Sequence, residues 1–104
     1  MLKTDKDTPV AITFNDLMDS IDVACMDGEV VAFLVSEILV GSLLIGMQDW
    51  AFNINFTIDA IRAAEWTPPA GVTGLVPVCL VYALDDKGVK SETRVPFSVL
   101  VNLT

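Results

Sequence analysis

Eighteen consecutive residues, Val30 to Met47 (VVAFLVSEILVGSLLIGM), contain one charged side chain, Glu37. Almost all of this stretch must leave water, so the rest of the chain has to be arranged to cover it. Its length just reaches that of a membrane span, but Glu37 near its middle would cost about 2.5–3.5 kcal/mol in lipid, and no Lys or Arg flanks either end to anchor it. The stretch therefore reads as a buried core element. Both of its faces are apolar, so periodicity does not separate strand from helix. The β-branched residues Val30, Val31, Val35, Ile38, Val40 and Ile45, with Gly41 and Gly46 inside, favour two strands or one strand bent near Ser36-Glu37. A helix from Glu29 to Val40, stopped by Gly41, is the alternative.

The chain has 104 residues, enough for one hydrophobic core. A single domain over 1–104 is expected, with polar residues 1–8 frayed. Hydrophobic residues make up 53% with glycine left out, above the usual ~45–50% that includes it. A small domain with this surplus tends to hide it against a copy of itself or a partner, which points to a homo-oligomer, most simply a dimer. Cys25 and Cys79 fall among apolar neighbours and read as small core hydrophobes, with a single disulfide between them left open. No cysteine framework and no apolar run behind Lys3 and Lys6 suggest a leader, so a cytoplasmic, reducing setting is expected.

The net charge is −8, and it is unevenly placed: no basic residue lies between Lys6 and Arg62, whereas nine acidic residues do. Such a surface repels phosphate backbones and anionic membranes, so neither direct nucleic-acid binding nor membrane binding is expected. It suits a basic partner, and it also keeps an apolar chain in solution.

Thr13-x-x-Asp16 has the form of a capping box and opens an amphipathic helix. Phe14, Leu17, Met18, Ile21 and Cys25 form its apolar stripe, and Asp27-Gly28 ends it. Asp16, Asp19 and Asp22 lie on its polar side, either as a docking surface or as a solvated face. Trp50, Phe52, Ile54, Phe56 and Ile58 alternate with small or polar residues and predict a half-buried strand. Asp59 then caps a short second helix, Ala60 to Trp66, which the loop Thr67–Gly74 ends. Leu75–Leu84 and Val89–Leu103 read as strands joined by the turn Asp85-Asp86-Lys87-Gly88, a C-terminal β-hairpin. The expected fold is α+β: one antiparallel or mixed sheet of four to five strands, the first helix packed on one face, and the short second helix.

The chain contains no histidine. That removes the commonest general base, the commonest metal ligand and every Ser–His or Cys–His pair. Two cysteines are too few for a zinc site, and Gly71-Val72-Thr73-Gly74 is too short for a phosphate loop and is followed by no lysine. Carboxylate pairs remain, Asp16 with Asp19 and Asp85 with Asp86, on a helix face and in a turn where nothing would raise a pKa. No enzyme, cofactor or metal is expected, and no catalytic residue is assigned. In charge and size the chain resembles the small acidic inhibitors and immunity proteins of mobile elements, with no motif behind the resemblance. The leading expectation is accordingly a non-enzymatic inhibitor or adaptor that binds a basic protein surface through Asp16, Asp19 and Asp22. The alternatives are a small-molecule binder with a pocket lined by Phe14, Trp50, Trp66 and Tyr82, Asp49 beside it, and a structural subunit of a homo-oligomeric assembly.

Overall fold

The computed structural model describes residues 2–21 and 28–103. The long apolar stretch resolves into strands: β3 (Val30–Ile38) and β4 (Ser42–Ile45). A register shift between Val35 and Glu37 places a bulge at Ser36-Glu37, and the chain turns at Gly41, whose φ of +79° favours glycine. The turn carries the chain from one sheet to another. β3 joins a five-stranded sheet in the order β1 (Lys3–Asp5), β9 (Val95–Asn102), β8 (Gly74–Asp85), β3, β6 (Thr57–Asp59). β4 joins a four-stranded sheet in the order β2 (Val10–Ile12), β7 (Ala64–Thr67), β4, β5 (Gln48–Asp49). β1 runs parallel to β9, and every other pairing is antiparallel.

The two sheets share one core. Phe33, Val35, Ile58, Val78, Val81, Phe97 and Val99 come from the inner face of the larger sheet, and Ile12, Leu43, Ile45 and Trp66 from that of the smaller. All of them are at most 4% exposed, so they hold both sheets as one hydrophobic unit.

This architecture overturns the α+β expectation, and four local corrections account for it. The first helix is short: α1 spans Phe14–Ser20, and Ile21 is already extended at φ −111°, ψ 129°. Its start is as the capping box requires, with the Thr13 hydroxyl accepting from the Asp16 amide and Asp16 Oδ2 accepting from the Thr13 amide at 2.9 Å. Its end lacks support, because the last turn holds no basic residue and Asp19 opposes the helix dipole there. Cys25 and Asp27 of the expected helix lie outside the described residues. Thr13→Ala should lower stability by about 1 kcal/mol in urea denaturation, since two donors at the N-terminus lose their acceptors or their geometry.

The second helix does not exist. Asp59 instead closes a tight turn: its amide donates to the Arg62 carbonyl, the Arg62 amide donates back, and Asp59 Oδ1 accepts from the Ile61 amide at 3.0 Å. Ala64, Glu65, Trp66 and Thr67 then alternate in and out as β7. Pro68 biases Thr67 away from helical angles, and a strand is what brings Trp66 to full burial.

The alternation from Trp50 to Ile58 is not one strand either. Ala51 and Asn55 pair back to back through two backbone hydrogen bonds, and Asn53 takes φ +63°. Ile54 is consequently 86% exposed, while Ile58 is buried in β6. Asn55, which the period-two pattern assigns to solvent, donates from Nδ2 to the carbonyls of Ile45, Gln48 and Asp49 at 3.0–3.2 Å and stitches this turn to the β4–β5 hairpin. Local bonding of this kind competes with a strand ladder.

Within residues 1–8, expected to be frayed, Lys3–Asp5 pair with β9 as the edge of the larger sheet. Thr4 is buried, and its hydroxyl donates to the Thr8 carbonyl at 2.9 Å. β8 and β9 pair antiparallel from Gly74↔Val101 to Val81↔Val95, and Asp85–Gly88 forms a turn in the segment that joins them.

Candidate functional site

The residues expected to act together are distributed over the molecule. Asp16 is held by its capping role, with Oδ2 accepting from both the amide and the hydroxyl of Thr13. Asp19 is exposed on the last turn of α1, and Asp22 lies outside the described residues. Asp85 is 4% exposed, and its Oδ1 accepts from the Lys87 and Val89 amides at 2.9 and 2.8 Å. It builds the turn, and its neighbour Asp86 is exposed, the two carboxylates flanking Gly28.

The four aromatic residues do not converge on one pocket. Trp66 is fully buried, and its indole N–H donates to the Val40 carbonyl at 2.8 Å. Trp50 donates in the same way to the Val35 carbonyl at 3.0 Å. Phe14 leans on Phe33 with ring centroids 5.5 Å apart and borders a shallow recess beside Asn15 and Asp59. Tyr82 lies on the outer side of the larger sheet beneath Lys90, whose ammonium sits 4.6 Å from the ring centre. Asp49 is exposed on β5, away from the recess at Phe14. These aromatics fasten strands to one another, as buried indole donors and stacked rings commonly do.

Burial raises the Cys79 thiol to about 12, so it stays protonated and is a core group rather than a nucleophile. Among the described residues no group of three or more Cys, Asp or Glu side chains is arranged to hold a metal ion.

What the structure does assemble is a groove on the outer face of the smaller sheet. Ala11, Glu65, Leu44 and Asp49 stand side by side across β2, β7, β4 and β5. Two tight turns rise at the end of this row. In one, Gly46 and Met47 take φ +60° and +68° between the paired Ile45 and Gln48, a two-residue type I′ loop. The other is the Asp59–Arg62 turn. The stem of Arg62 packs below Gly46, where an added Cβ would lie 3.2 Å from Arg62 Cδ. Met47 and Ile61 stand out from the two turns at 92% and 94% exposure and wall a groove of about 360 Å3 floored by Leu44 and Glu65.

Two features make this groove unusual as bare surface. Large apolar side chains this exposed are costly to hydration, and here two of them border one depression. Methionine is also a poor choice for a left-handed turn position, which costs a residue bearing Cβ about 1–2 kcal/mol and which Asn or Gly fills more easily. The sequence pattern assigns Met47 to the end of the buried apolar stretch and Ile61 to the short second helix, and the structure instead exposes both in turns. The available signal was an apolar side chain directly after Gly46 in a two-residue turn.

Comparison with protein-family models, curated proteins and solved structures finds no match to this chain. The groove and the sheet faces are therefore read on their own chemistry. Among the described residues, no helix is long and apolar enough to cross a membrane.

Proposed function

We propose that the chain is a non-enzymatic interaction protein that engages a basic protein surface through the outer face of the smaller sheet. The observation that carries this reading is the pairing of Met47 and Ile61, each more than nine-tenths exposed, with Glu65 and Asp49 in the same row of side chains. An apolar pair supplies the area that desolvation rewards; Arg62 also lines the groove, but Glu65 within it and Asp49 beyond its rim leave the row net acidic, which favours Lys or Arg over acidic groups. The overall charge of −8 acts at longer range and speeds the approach of a cationic partner. Asp19 adds to that field without belonging to the contact. A cytoplasmic inhibitor or adaptor is the role that fits such a surface.

The test is a calorimetric titration with a short synthetic peptide carrying both lysine and leucine, at low and high salt. Met47→Ser with Ile61→Ser should weaken binding at least about tenfold at either salt, because the apolar anchors are gone. Asp49→Asn with Glu65→Gln should instead flatten the salt dependence, since fewer screened pairs remain. Binding unchanged in both double variants would place the contact elsewhere and end this reading.

A further inference from the structure

We infer that the outer face of the larger sheet, opposite the groove, is a contact surface for a second copy of this chain. In an antiparallel sheet with one solvated face, that face alternates polar with the buried one. Here it does not. Leu34 on β3, Leu80, Tyr82 and Leu84 on β8 and Leu100 on β9 all point away from the core, each half-buried by its neighbours, and Leu75 extends the patch at 58% exposure. The register places them side by side: Leu34 opposite Tyr82, and Leu75 opposite Leu100. The result is a leucine-rich stripe along β8, the middle strand of five, in which Glu37 and Pro96 flank Leu80 and the Pro77–Ser98 pair separates it from Leu75 and Leu100.

Charge identifies the occupant. The chain carries six basic and fourteen acidic residues. Three of the six lie on this face: Lys3 beside Leu100, Lys90 over the Tyr82 ring, and Arg94, 3.8 Å from Glu37. Among the described residues Asp5 and Glu37 are carboxylates of this face and exposed Glu92 lies between Lys90 and Arg94, so its charges balance, whereas Asp59 at the end of β6 is turned to the Ile61 amide. A chain of net charge −8 repels its own copies through most of its surface, but on this face the charges of the described residues balance. A strongly basic partner gains nothing from a patch that already holds lysine and arginine. A copy related by a two-fold axis brings leucine against leucine and sets Arg94 and Glu37 of each chain near those of the other.

The area is sufficient. Three long strands and two three-residue edges project roughly 500–600 Å2 from strand spacing and rise, so two copies bury about 1,000–1,200 Å2, where specific interfaces begin. This inference uses the opposite side of the molecule from the groove and does not depend on the partner reading. A dimer formed this way would leave both grooves facing outward.

Light scattering over a concentration series tests it. The wild type should approach twice the chain mass of 11.2 kDa as concentration rises, and should do so at high salt too. Leu80→Glu should remain at 11.2 kDa throughout with an unchanged near-ultraviolet circular dichroism spectrum, and the charge-matched control Gln48→Glu, exposed on the other sheet, should dimerise like the wild type. If Leu80→Glu fails to fold, isotope-filtered NOE spectra of mixed labelled and unlabelled wild type decide: cross-peaks between copies should join the Leu80 and Leu34 methyls to the Tyr82 ring. A wild type that stays monomeric, a folded Leu80→Glu that dimerises normally, or contacts between copies that involve Met47 and Ile61 instead would each overturn the inference.

Discussion

Replacing Trp66 with alanine should lower stability by about 3–5 kcal/mol, the largest single loss expected in this chain. Trp66 has no exposed surface and reaches from β7 to the corner between the sheets, where its indole N–H donates to the Val40 carbonyl. Alanine would leave a void that neighbours in two sheets cannot close together, and it would leave the Val40 carbonyl without that donor. Trp66→Phe separates the two contributions. It keeps most of the volume and removes the donor, so its cost should fall to about 1–3 kcal/mol. Urea denaturation followed by far-ultraviolet circular dichroism measures both. A cost below about 1 kcal/mol for alanine would mean that the sheets do not meet over this side chain.

The second large effect is expected at Gly41, on the other side of the same contact. Its φ of +79° is a left-handed conformation, and an added Cβ would lie 2.5 Å from the Thr67 carbonyl oxygen and 2.6 Å from Trp66 Nε1. One obstacle is backbone and the other is the fully buried indole, so neither can swing aside. Gly41→Ala should therefore cost about 3 kcal/mol or more, the backbone penalty of about 1–2 kcal/mol plus the displacement of Trp66. Against a typical total of about 5–15 kcal/mol this is a large fraction, and it should lower Tm by more than about 10 °C. Gly71→Ala provides the comparison, since its φ is +77° but nothing lies within 4 Å of the added Cβ. It should show the backbone penalty alone. Equal losses at the two glycines would mean that the corner over Trp66 is not tightly packed.

The corner at Gly41 also marks where sequence reading stopped being sufficient. β-Branched density identified Val30–Met47 as extended, and interior glycines marked its breaks, because both are local properties of the backbone. That β3 and β4 enter different sheets follows from Gly41 lying against Trp66, a contact between residues 25 positions apart in sequence, and periodicity carries no such information. The capping box was legible for the same local reason, whereas the early end of α1 at Ser20 depends on the core that Leu17 and Ile21 enter. Trp50–Ile58 misled because its alternation is that of a strand. Asn53 and Asn55 then used their side-chain and backbone freedom to fold it into a turn, leaving Phe52 and Ile54 outside. Ala60–Trp66 is too short for helical periodicity to compete with the burial of Trp66.

The candidate surfaces were less legible still. Net charge pointed to a basic partner, yet the acidic helix face holds Asp16 in a cap, and the exposed apolar anchors sit in turns that no pattern singled out. Leu80, Tyr82 and Leu84 were visible as the second apolar face of a strand. In a single sheet covered by helices that face would be core. In a two-sheet fold it is left outside, so the same residues change from filler to surface once the architecture is known.

Two different contacts are proposed for the two outer faces of one shared core. An amide-resolved NMR series tests this division directly, first by diluting the protein and then by adding the lysine–leucine peptide to the dilute sample. Dilution should move the resonances of Leu34, Leu80, Tyr82 and Leu100 and leave Met47, Ile61 and Glu65 in place, and the peptide should move the second set and leave the first. If both steps move the same residues, or the sets are exchanged, the division of the molecule into a self-contact face and a partner face is wrong.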